Sequence, residues 1–179
     1  KEITSSLDTN VSSLLKKMEV SSVKGKISEN VLSSVLHSLY PVAQIDSVGT
    51  SKETGDIMLI RKEKPKILIE NKCWDKNVVQ EEVKKFIHDV ETQDCSGLFL
   101  SQNYGIANKE NYEININNGN VLVYIHEVNN NPEKIKIGID IIDHFKTKLN
   151  EVNQKNEIDT ISKEVLDAIN SEYQAYCTR

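Results

Sequence analysis

Two short apolar runs, separated by a charged, proline-containing segment, constrain this chain more than any other feature. The first, Ile57-Met58-Leu59-Ile60, follows Gly55-Asp56; the second, Ile67-Leu68-Ile69, runs into Glu70-Asn71-Lys72. Arg61-Lys62-Glu63-Lys64-Pro65 between them reads as a hairpin turn. Strand side chains alternate faces, so Glu70 and Lys72 share one side with Leu68 behind them. Ile67, Ile69 and Asn71 then share the other. Pairing Ile60 with Lys66 sets Asp56 opposite Glu70, within one register step.

Acids and lysine are poor strand residues, so three of them at the ends of two paired strands need a reason. Directly opposed Cβ atoms lie about 4.5–5.5 Å apart. Two carboxylates that close repel unless a cation or a proton lies between them. Mg²⁺ meets this need, because it takes one or two carboxylates and keeps several waters. Lys72 would then stand beside a metal-bound water, or stabilise charge on a phosphate under attack. A hairpin with an ordinary cross-strand ion pair produces the same pattern.

At 179 residues the chain is long enough for one α/β domain with a substantial core and an appendage. Hydrophobic residues make up 38% and charged residues 27%. No run approaches the roughly 18–20 apolar residues of a membrane span, and none reads as a signal peptide. The expected setting is intracellular, cytoplasmic or nuclear, without a membrane. Starting at Lys1 rather than Met is expected of a domain cut from a longer protein. Cys73, Cys95 and Cys177 are too scattered for a four-ligand zinc site and read as reduced thiols. His37, His88, His126 and His144 show no ligand spacing. The net charge of −5 argues against a general nucleic-acid binder. That charge is uneven: residues 1–74 hold 11 basic and 9 acidic residues, and residues 75–179 hold 11 and 18.

Apolar spacing predicts a short helix within residues 1–20, broken at Lys24-Gly25-Lys26, and a second from Ser28 to Tyr40. Glu29 edges the buried face of that second helix. A strand is expected over Val42–Val48, then the hairpin, then a helix over Asp75–Glu91 with Val79, Val83, Phe86, Ile87 and Val90 inward. Gln80 falls on its inner edge, and Lys76, Gln80 and Lys84 form one line along it. A buried strand follows at Gly97–Leu100. Residues 104–120 read as an asparagine-rich irregular stretch, and Val121–Ile125 as another strand. Asn129–Pro132 is a turn. From Ile139 the pattern is helical, with a phase shift at Asn156.

This order of helix, strand, hairpin, helix and strand resembles the PD-(D/E)xK nuclease superfamily, over roughly residues 24–102. Gly55-Asp56 resembles its Asp at the start of the second core strand, with Gly where a Pro is usual. Glu70-Asn71-Lys72 resembles its (D/E)-x-K on the third. Lys24-Gly25-Lys26-Ile27-Ser28-Glu29 resembles the helical element that carries a Glu, and Gln80 the Gln of the following helix, with Lys84 extending it as Q-x-x-x-K.

The resemblance implies an α/β, restriction-endonuclease-like fold: a mixed central sheet flanked by helices, in a domain of residues 1–138. A C-terminal helical extension, residues 139–179, would follow. It implies metal-dependent DNA phosphodiester hydrolysis, with an endonuclease expected. Asp56 and Glu70 would hold Mg²⁺, with Mn²⁺ able to substitute, and Glu29 would assist as a ligand. Lys72 would orient the attacking water, Gln80 would position Lys72 or the water, and Lys84 would contact substrate phosphate. DNA is the expected partner, with a homodimer or a partner protein engaged through the C-terminal helices. The alternative is a catalytically inactive nuclease-fold module that binds nucleic acid or a protein.

Overall fold

The computed structural model describes residues 2–48, 57–154 and 163–177. Among them the chain is α/β, with a six-stranded mixed sheet flanked by helices. Helix α1 spans Glu2–Leu39, β1 Gln44–Ser47, β2 Ile57–Ile60 and β3 Ile67–Lys72. Helix α2 spans Gln80–Gln93, β4 Ser96–Ser101, β5 Glu113–Asn117 and β6 Asn120–Ile125. Helices α3, Pro132–Gln154, and α4, Lys163–Cys177, complete the order.

The strands lie in the order β1-β2-β3-β4-β6-β5. β1, β2 and β3 pair antiparallel, β3, β4 and β6 run parallel, and β5 returns antiparallel to β6. The hairpin register is the expected one: Ile57 pairs with Ile69, Met58 with Leu68 and Leu59 with Ile67.

Alternation then divides the core in two. Ile57, Leu59, Ile67 and Ile69 face Leu32 and Leu36 of α1 and the apolar stripe of α3, including Ile139, Ile142 and Phe145. Met58 and Leu68 face Val83, Phe86 and Val90 of α2. Two glycines let the helices sit down. A Cβ on Gly97 would lie 2.5 Å from the Phe86 ring, and one on Gly138 would lie 2.7 Å from both Ile125 and Leu98.

Several expected boundaries are corrected. The break at Lys24-Gly25-Lys26 does not occur, and α1 runs unbroken for 38 residues. A glycine inside a helix costs about 1 kcal/mol, which packing of Leu32 and Leu36 readily offsets. From the middle of the helix Lys24 also reaches Asp75, with its Nζ 2.8 Å away, in an exposed ion pair that adds little. The first strand starts at Gln44 because Val42 lies fully in solvent.

The stretch 104–120 contains an unexpected strand, β5. Its signal is Asn118-Gly119, a dipeptide suited to a two-residue hairpin turn. Both residues have positive φ, 49° and 74°, between the paired Asn117 and Asn120.

Helix α2 starts at Gln80, five residues later than expected, because Val78 makes a parallel bridge to Ile106 instead. Lys76 therefore precedes the helix. Helix α3 starts at Pro132, where a missing N–H costs nothing. The Asn131 carboxamide accepts the Glu133 N–H at 2.9 Å and caps it. Its buried Ile135 and Ile139 line the same core, so the expected boundary at 138/139 falls inside one core helix. Helix α4 packs Ile169 and Tyr173 on that core.

Candidate active site

Three parallel strands end side by side, with Lys72 paired to Ser101, and Leu100 to Ile125. Ligands of α/β sheets gather at such carboxyl ends. Here β3 carries its two charged residues on the α2 face. Glu70 is 2% exposed, a burial that carboxylates tolerate only when paired. The Lys72 ammonium lies 2.7 Å from Glu70 Oε1 and 2.8 Å from Glu82 Oε2. Burial by itself pulls the Lys72 pKa down. The two carboxylates outweigh it and hold the ammonium above the usual lysine range.

Glu82 sits in the first turn of α2, a favourable place for an acid against the helix dipole. Sequence reasoning passed over it in favour of Gln80. With the helix expected from Asp75, Glu82 falls well inside it, so the sequence carries no first-turn signal for it; only the start at Gln80 shows it.

The other face of β3 solves polar burial without charge. Asn71 Nδ2 donates to Ser28 Oγ of α1 at 2.8 Å, and Asn71 Oδ1 accepts from Gln102 Nε2 at 2.7 Å. Gln102 Oε1 accepts the Asn130 N–H at 2.8 Å. The Gln102 N–H donates to the Lys72 carbonyl at 2.9 Å, and its carbonyl accepts the Asn129 N–H at 3.0 Å. Gln102, 1% exposed, thus ties the end of β3 to the loops after β4 and β6. It also went unrecognised in the sequence, where it follows a buried apolar strand as part of a polar run.

The expected site residues divide as follows. Glu70 and Lys72 are together, on the face assigned to them. Asp56 lies outside the described residues; it immediately precedes Ile57, whose partner Ile69 immediately precedes Glu70. Glu29 lies on α1, which covers the opposite face of β3, and its carboxylate accepts a hydrogen bond from Ser47 of β1. Gln80 Oε1 accepts from Asn108 Nδ2 at 3.0 Å, in the loop after β4. Lys84 is exposed on α2.

Magnesium prefers hard oxygen donors, and this end of the sheet supplies them: two carboxylates, one of them deeply buried, already surround a positive charge. Glu70 is a donor of the kind a divalent cation takes, while both carboxylates are engaged by the Lys72 ammonium. Among the described residues no group of three or more His, Cys, Asp or Glu side chains is placed to hold a metal.

A separate cavity of about 360 Å³ lies among α3, α4 and β5, lined mainly by apolar residues such as Phe145, Leu149 and Tyr173. It belongs to the opposite face of the sheet and holds none of the residues above. No model of a known protein family matches the chain, and no curated protein sequence matches it. Among the described residues no helix is long and apolar enough to cross a membrane.

Proposed function

We propose that the chain is a metal-dependent deoxyribonuclease with a restriction-endonuclease-like core, cleaving DNA phosphodiester bonds at the carboxyl end of β3. The observation that carries this reading is Glu70. A carboxylate 2% exposed, two residues from a lysine whose Nζ lies 2.7 Å away, occupies the ligand-binding end of a parallel strand. Glu70 and Asp56 would hold Mg²⁺ or Mn²⁺. When bound, the ion would lower the pKa of a water and neutralise charge on the phosphate. Lys72 would donate hydrogen bonds from its ammonium. It suits the negative charge that builds on the phosphoryl oxygens as a water oxygen bonds to phosphorus. The bond to the leaving oxygen then breaks; the attacking water gives up a proton to solvent, and the leaving oxygen takes one from solvent.

Cleavage of supercoiled and linear DNA with Mg²⁺ or Mn²⁺ tests the reading, using the wild type, Asp56→Ala and Lys72→Ala. Loss of cutting in both variants supports it, and undiminished cutting in both removes this site. A second reading is favoured by the double ion pair itself. Lys72 engaged by two carboxylates is also what a purely structural cluster looks like. An inactive module that binds nucleic acid or a protein would show no metal-dependent thermal shift.

A further inference from the structure

We propose that Glu82 is the positioning residue for Lys72, the role that the resemblance gives to Gln80. It would keep the ammonium in place when Glu70 turns to a metal ion. The proposal rests on Lys72 being the lysine of the site.

Three observations carry it. First, Glu82 Oε2 lies 2.8 Å from Lys72 Nζ, as close as Glu70 Oε1 at 2.7 Å. Second, the Gln80 carboxamide oxygen accepts from Asn108, which turns it towards the loop after β4. Third, the turn that projects Glu82 is anchored. The Val78 N–H donates to the Gly105 carbonyl at 3.0 Å, the Ala107 N–H to the Val78 carbonyl at 2.9 Å, and the Glu82 N–H to the Val79 carbonyl at 3.2 Å. A backbone held this way fixes where the Glu82 side chain starts, which lowers the ordering cost of reaching the lysine.

The charge balance gives the arrangement its purpose. With Glu70 committed to a divalent ion, Lys72 would lose one partner and face a positive neighbour. Like charges that close repel and would push the side chain away from its place. Glu82, on a different element from Glu70, offsets that repulsion and keeps the ammonium at the end of β3. Misplacing such a group by about 1 Å costs on the order of 10²-fold in rate.

The test compares Glu82→Ala, Glu82→Gln and Glu81→Ala, the last an exposed neighbour on the same helix. Glu82→Gln keeps the length of the side chain and removes its charge, so it reports even where Glu82→Ala perturbs α2. Two quantities are read: the kinetics of Mg²⁺-dependent DNA cleavage, and the rate of Lys72 acetylation by acetic anhydride, mapped by mass spectrometry.

Glu82→Ala is expected to lower kcat by about 10²-fold with little change in KM, with Glu82→Gln intermediate and Glu81→Ala like wild type. Acetylation of Lys72 is expected to rise about tenfold in Glu82→Ala, since a hydrogen bond to a charged group is lost. Wild-type kcat together with unchanged acetylation in both Glu82 variants overturns the proposal. A wild type that cleaves no DNA removes the nuclease reading alone. The acetylation rates still decide whether Glu82 holds Lys72: a rise supports it and no rise overturns it.

Discussion

Consecutive residues of β3 solve the same problem in opposite ways. Asn71, facing α1, is buried within a neutral chain from Ser28 through Gln102 to Asn130. Glu70 and Lys72, facing α2, are buried as charges and held by each other and by Glu82. A neutral network of this kind ties elements together and has no spare charge to offer a ligand. A charged cluster costs desolvation and is a weak way to gain stability. It can, however, exchange one ion for another. The contrast puts the charged groups on the α2 face and the neutral network that ties the strand to its neighbours on the α1 face.

The sharpest way to break the contrast is to remove one charge. Lys72→Ala takes away the ammonium beside a carboxylate that is 2% exposed. Urea unfolding should show a loss of about 3–5 kcal/mol. The double variant Glu70→Gln/Lys72→Met should recover most of it while remaining unable to cleave DNA. A double variant as unstable as the single would mean that the charges hold the fold together.

On the other face, Gln102→Leu should cost about 1–3 kcal/mol, because it removes the donor to Asn71 Oδ1 and the acceptor of the Asn130 N–H. Below its melting temperature this variant should cleave DNA, with any loss traceable to the shifted end of β3. The two faces can also be compared without polar groups. Gly97→Ala pushes against α2, and Gly138→Ala pushes α3 off β4 and β6. Each should lose about 1–3 kcal/mol in thermal melts. Gly97→Ala should additionally impair cleavage, since α2 carries Glu82, and Gly138→Ala should not. The smallest effect belongs to α1. A Cβ on Gly25 meets nothing within 4 Å. Gly25→Ala should therefore stabilise the chain by up to about 1 kcal/mol, measured by urea midpoint, with cleavage unchanged.

The hairpin was legible because its rules are local. Two-residue alternation assigns Glu70 and Lys72 to one face and Asn71 to the other, and a short charged turn sets the register. The same alternation, carried through β4 and β6, separates the two cores. Helix α2 was legible through the 3.6-residue spacing of Val83, Phe86 and Val90. β5 could have been read from its Asn-Gly turn, but its strand is polar on alternate residues and rich in asparagine, so it lacks an apolar run.

Other features depend on residues far apart in the chain. Nothing near Gly25 says that α1 continues through it; Leu32 and Leu36 on the sheet decide that. Nothing near Val78 says that it bridges Ile106 and so delays α2 to Gln80, which brings Glu82 rather than Gln80 to Lys72. Nothing near Gln102 says that it meets Asn71. The sequence by itself determined which residues of β3 face together, because that follows from backbone geometry. Only the tertiary structure decided which partners they meet. Ion pairs and buried hydrogen bonds depend on where separate elements are packed, and that packing is settled by the whole core.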